Sequence, residues 1–153
     1  MFDGELTSTF VRQQSFIGGV AYDNGETLGF SAGYDSAYEE TPDLIADSGV
    51  YTGPALNPGG ESVATMTVSN SGQVSGSDDI DCDFSGFLSA RNNGDVYDIE
   101  ISFEAEPCTY AFQTLEGIAY VREGEMVAAV PNLSRDGGIF FIGQLVIADE
   151  RFG

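Results

Sequence analysis

From Val96 to Glu104, Tyr97, Ile99, Ile101 and Phe103 alternate with Asp98, Glu100, Ser102 and Glu104. A period of two predicts a strand with one face on a core and the other in water. A slip of one residue would bury three carboxylates, so the register is strongly specified. Segments of this kind recur along the chain, separated by turn residues about every ten positions. Phe16 to Tyr22 and Thr27 to Ser31 flank Asp23-Asn24-Gly25, where Asn and Gly accept the positive φ of a hairpin turn. Val63 to Asn70 runs from Asn57-Pro58-Gly59-Gly60 to Ser71-Gly72, with Ala64, Met66 and Val68 on one face. Ile80 to Ala90 follows, and Asn92-Asn93-Gly94-Asp95 turns the chain again. Leu115 to Val121, Met126 to Val130 and Ile139 to Ile147 complete the series, divided by Arg122-Glu123-Gly124-Glu125 and Arg135-Asp136-Gly137-Gly138. The last of these is apolar on both faces, which places it centrally in a sheet or under a cover.

Helix has little room in this pattern. One short helix is expected over Pro42 to Ala46, with Thr41 as N-cap, Pro42 at the first helical position and Gly49 as the stop. The expected fold is all-β: an antiparallel barrel of eight to ten strands, lipocalin-like, or a sandwich. With 153 residues, the chain is read as a single β domain spanning 1–153.

Charge changes the picture more than composition does. Twenty-five acidic residues face five basic ones, all arginine (Arg12, Arg91, Arg122, Arg135, Arg151), for a formal net charge of −20, and histidine, lysine and tryptophan are absent. Such a field repels phosphate backbones and anionic membrane surfaces, so no nucleic-acid partner is expected. Two readings of the acidity stand side by side. One is a surface adapted to a salty habitat; the other is a surface for a basic protein partner.

Cys82 and Cys108 are the only cysteines. Neither has a neighbouring His or Cys to build a metal site, so they are expected to form one disulfide, which persists in an oxidising compartment. No stretch reaches the roughly 18 apolar residues of a membrane-spanning helix. Met1-Phe2-Asp3-Gly4 shows neither a basic nor an apolar leader region, so the chain is read as extracytoplasmic with its leader already removed.

Candidate chemistry is thin. Gly29-Phe30-Ser31-Ala32-Gly33 matches the serine-hydrolase elbow in letters, but that chemistry needs a histidine to take the serine proton and a strand-turn-helix context. Asp79, Asp81 and Asp83 fall at the first, third and fifth positions of an EF-hand loop whose sixth would be Phe84 and twelfth Ala90, where Gly and Glu are needed. These three remain a weak calcium candidate, while flanking acids also protect a strand edge from aggregation. Paired carboxylates of glycosidase type are uninformative among so many acids, and a chain without lysine has no phosphate-binding G-x-x-x-x-G-K loop. Tyr22, Tyr34, Tyr38, Tyr51, Tyr97, Tyr110 and Tyr120 either line a pocket or a contact surface or, as is more usual, sit half-buried in the core with wet hydroxyls.

Tyr34-Asp35 with Tyr38, the short helix running into Gly49-Val50-Tyr51-Thr52-Gly53, Gly72-Gln73-Val74-Ser75-Gly76-Ser77, Cys82 with Ser85-Gly86, Val96-Tyr97-Asp98, and Cys108 occur in this order. The arrangement resembles a family of uncharacterised bacterial secreted proteins and lipoproteins and spans roughly three-quarters of the chain. The resemblance implies an extracytoplasmic β domain, often lipid-anchored upstream, with no established activity. The chain departs from it in lacking a lipobox cysteine. The function expected from all this is a non-enzymatic binding or interaction module without a cofactor. A lipocalin-like carrier of a small apolar ligand is the alternative.

Overall fold

The computed structural model describes residues 3–92 and 94–146. Met1, Phe2, Asn93, Ile147 and Arg151, which figure in the sequence reading, lie outside the described residues. The chain divides into two compact units, one ending at Tyr38 and the other beginning at Glu39. Length alone predicts one domain over 1–153, and the buried apolar cluster falls entirely within the second unit.

The first unit is a three-stranded antiparallel sheet, β1 (Gly4–Val11), β2 (Ser15–Tyr22) and β3 (Thr27–Gly33), in that order. The expected hairpin is present. Gly25 takes a φ of 89°, and Asn24 Oδ1 accepts a bond from the Glu26 amide at 2.9 Å, which closes the turn. The serine-hydrolase letters lie within β3, an extended strand, not on the elbow that chemistry requires.

A 3₁₀ turn (Ser36–Glu39) leads into the second unit, whose elements are α1 (Leu44–Asp47), β4 (Gly49–Asn57), β5 (Gly60–Val68), β6 (Gln73–Asp78), β7 (Asp83–Ala90), β8 (Tyr97–Phe103), β9 (Thr114–Arg122), β10 (Glu125–Pro131) and β11 (Gly138–Leu145). The eight strands close into a barrel in the order β10-β11-β4-β5-β6-β7-β8-β9. The all-β expectation and its barrel form are met. Closure leaves no strand of this sheet with an unpaired edge.

Strand β8 has the register its letters demand. Tyr97, Ile99, Ile101 and Phe103 are buried while Asp98 and Glu100 are exposed, as is Glu104 just beyond the strand. Strand β11 pairs with β10 and β4, which satisfies the expectation of a central position, although Phe140 stays 40% exposed.

Two local readings are corrected. The helix begins at Leu44, because the Asp43 carboxylate, not Thr41, accepts from the amides of Ile45 and Ala46 at 3.1 and 3.2 Å. Pro42 therefore lies outside it. The strand expected from Ile80 begins at Asp83 instead, because Asp78 Oδ1 accepts from the amides of Ile80 and Cys82 and folds 79–82 into a turn.

Candidate functional site

Inward-pointing side chains fill the barrel. Leu115 and Met126 are fully buried, Tyr51 and Ala119 are 1% exposed, and Ile99 and Ala128 are 2% exposed. The residual cavity is about 60 Å³, lined by Ser62, Met66, Ile101, Phe103 and Phe141 among others. Sites for small organic ligands usually measure roughly 300–1,000 Å³. Space of this size holds a few waters or a small alkyl group. Ser62 Oγ, buried and without a hydrogen-bond partner among the described residues, lies on its wall.

Near α1 a polar cluster joins helix and barrel. Tyr97 Oη donates to Asp47 Oδ2 at 2.5 Å, and Tyr51 Oη donates to the Asp47 carbonyl at 2.6 Å. Leu44 from the same helix packs on the core. Burial pushes the Asp47 carboxyl above its usual range. The Tyr97 hydrogen bond opposes that shift, and the charges of Asp95 and Asp43 reinforce it. Burial first, then the Asp47 bond and charge, also push the Tyr97 hydroxyl up.

A carboxyl raised in the folded state adds stability that is complete below its unfolded pKa and is lost as pH rises through the folded value. Asp136 has the opposite sign. Bonds from Ser134 and Asn132 hold it low, so its contribution is present above the ordinary carboxylate range and is lost as pH falls through the lowered value. Between neutrality and about pH 4, the range above the unfolded carboxylate value, Asp47 therefore favours the fold on acidification. Asp47→Asn, which keeps an acceptor for Tyr97 Oη, should raise the melting temperature at pH 7, and the gain should shrink toward pH 4. Parallel melting curves for the two proteins across that interval would exclude the assignment.

The outer wall carries a different arrangement. Register places Asp98 opposite Ile118, Ile118 opposite Ala129, Ala129 opposite Phe140, and Phe140 opposite Leu56, one row across β8, β9, β10, β11 and β4. Ile118, Phe140 and Leu56 are 46%, 40% and 45% exposed. The small Ala129 leaves a hollow between its larger neighbours. A groove of about 890 Å³ runs along this row, with Pro58, Glu116 and Arg135 on its rim. Arg91 closes one end, its Nε and Nη2 each 2.7 Å from Asp98 Oδ1.

One step along β8 and β9, Glu100 stands directly opposite Glu116. Both are exposed, and neither has an ion pair or side-chain hydrogen bond among the described residues. Like charges directly opposed across strands destabilise a sheet. Phe87, opposite Glu100 on the other side, is 56% exposed. Exposed apolar side chains and two uncompensated carboxylates thus share this wall.

No family model, curated protein or solved structure matches the chain.

The residues singled out in the sequence fare unequally. Cys82 and Cys108 are bonded and both buried, their Cα atoms 4.7 Å apart. The calcium candidate is dispersed: Asp79 Oδ1 accepts from the Val63 amide, Asp81 sits in the turn at φ 65°, and Asp83 opens β7 opposite Ser77. Among the described residues no group of three or more acidic, Cys or His side chains is placed to hold a metal ion. Of the tyrosines, Tyr51 and Tyr97 meet at Asp47. Tyr51, Tyr97 and Tyr110 are buried, whereas Tyr34, Tyr38 and Tyr120 are exposed. The row from Ile118 to Leu56 is not legible in the sequence, because only the register of three strand pairs assembles it. No helix among the described residues is long and apolar enough to cross a membrane.

Proposed function

We propose that the chain is a non-enzymatic extracytoplasmic binding module that recognises a basic protein through the outer wall of its barrel. The observation that carries this reading is the groove over Ile118, Ala129, Phe140 and Leu56 beside the opposed, unpaired Glu100 and Glu116. An apolar side chain of the partner would enter the hollow over Ala129, and its arginine or lysine side chains would relieve the repulsion between the two carboxylates. A net charge of −20 draws a cationic protein to the chain as a whole and speeds encounter more than it deepens affinity. The near-filled interior supports surface recognition over carriage of an apolar ligand in the lumen. The disulfide supports an oxidising compartment, in keeping with the resemblance to secreted β domains.

A cationic lysozyme serves as probe. Its association rate with the full chain should fall steeply between about 50 and 500 mM NaCl, as the screening length contracts. Glu100→Gln with Glu116→Gln should slow association, and Phe140→Ser should speed dissociation. Matching changes at the acids of the Asp78 to Asp83 turn would move the contact off this wall. Binding indifferent to every groove variant would remove the proposal.

A further inference from the structure

The sheet of the first unit is two-faced. Strand register puts Leu6, Ser8 and Phe10 on the same face as Phe16, Gly18, Val20 and Tyr22, and as Leu28, Phe30 and Ala32. The side chains agree. The Phe16 and Phe30 rings lie 5.1 Å apart, and a Cβ on Gly18 would meet Phe30 Cζ at 2.6 Å. The opposite face carries Glu5, Thr7, Thr9, Thr27 and Ser31, with Val11 and Ile17 as its two large apolar residues. The apolar face nevertheless stands in water: Leu6 is 59% exposed, Phe10 75%, Phe16 41% and Leu28 56%. An apolar sheet face is buried against another layer in stable domains.

We infer that this face pairs with the same face of a second copy of the chain, giving a two-layer sandwich of six strands about a two-fold axis. Charge selects this occupant. No residue of the face is ionisable at neutral pH, and only Asp3, Glu5, Asp23, Glu26 and Asp35 of the 25 acids lie in the first 38 residues. Two copies can meet here without bringing carboxylates together, although the chain as a whole is strongly anionic. A cationic protein would find no counter-charge on this face, and the overall charge disfavours an anionic bilayer. Area sets the strength. Strands of seven or eight residues at roughly 3.3 Å per residue, three abreast at about 4.8 Å, present about 25 by 14 Å per copy. With side-chain relief the pair buries on the order of 1,000 Å², the low end for a specific interface. The dimer is therefore weak and concentration-dependent, and it strengthens with salt as the mutual repulsion of the barrels is screened.

Sedimentation equilibrium of the full chain at about 0.5 M NaCl, from about 1 µM to about 500 µM, reads the expected rise from one chain mass to two across the range of a micromolar interface. Phe10→Glu puts a like-charged pair into a two-fold contact and should weaken the dimer at least about a hundredfold. Thr9→Glu, on the other face, should leave it unchanged. Hydrogen exchange of the unaltered chain supplies a readout free of any folding defect in the variants: amides of β1 to β3 should gain protection with concentration while those of β8 to β11 do not. The inference is overturned by a monomer at every concentration, by a dimer equally sensitive to Thr9→Glu, or by protection that rises in the barrel wall instead. Flotation of a monomeric chain with neutral phosphatidylcholine vesicles would overturn it in favour of lipid. Groove variants such as Phe140→Ser leave this dimer intact, so its failure and that of the partner-binding proposal are distinguishable.

Discussion

Ile101→Ala should lower the unfolding free energy of the barrel by about 2–5 kcal/mol, whereas Glu100→Gln, one residue away, should change it by about half a kcal/mol or less. Ile101 is 4% exposed and lies between Gly86 on β7 and Leu115 on β9. It also lines the internal cavity. Truncation would therefore enlarge an existing void that closed neighbouring strands cannot collapse into, which favours the upper part of that interval. Glu100 faces water opposite Glu116, so neutralising it removes repulsion and loses no packing. Urea unfolding followed by the near-ultraviolet signal of the buried Tyr51, Tyr97 and Tyr110 reports on the barrel. Equal effects of the two substitutions would refute the register of β8.

Loss of the Cys82–Cys108 bond should be comparably large. The bond ties the turn between β6 and β7 to the connection between β8 and β9, and it closes a separation of 26 residues. Loop closure over that length is worth about 3.5 kcal/mol in the chain-entropy model. Both sulfurs belong to the buried cluster, so the doubly alanine-substituted chain loses core contacts as well. The denatured, unreduced protein should show no titratable thiol, and the alanine variant should melt well below the native chain at equal salt. A variant melting within a degree of the native chain would mean that the barrel holds without this brace.

What the sequence makes legible is what short-range alternation encodes. Strand β8 is plain because four apolar and four polar residues alternate without a break, and the inner face of β5 is plain for the same reason. Strand β4 is not, since Gly53 and Pro54 interrupt it, and Val74 is the only large apolar residue of β6. Strand β1 hides because Leu6 and Phe10 are separated by Thr7, Ser8 and Thr9 in a sheet with no buried residue. The helix start moved because two acceptable N-caps, Thr41 and Asp43, stand two residues apart and only one reaches the free amides. The groove was beyond reach for a deeper reason. Leu56 and Phe140 become neighbours only when β11 pairs with β4, and no local pattern records a contact across that span of chain.

Barrel closure has a consequence for how such a domain diverges. With no open strand in the barrel to extend, the barrel cannot gain a partner by adding backbone, so recognition there must be rewritten in outward side chains. The inner letters of each strand are held by packing, and the outer letters between them are free to drift. A change of an inner letter therefore disturbs the packing of the barrel, whereas a change of an outer letter alters what the wall can recognise and leaves the architecture standing.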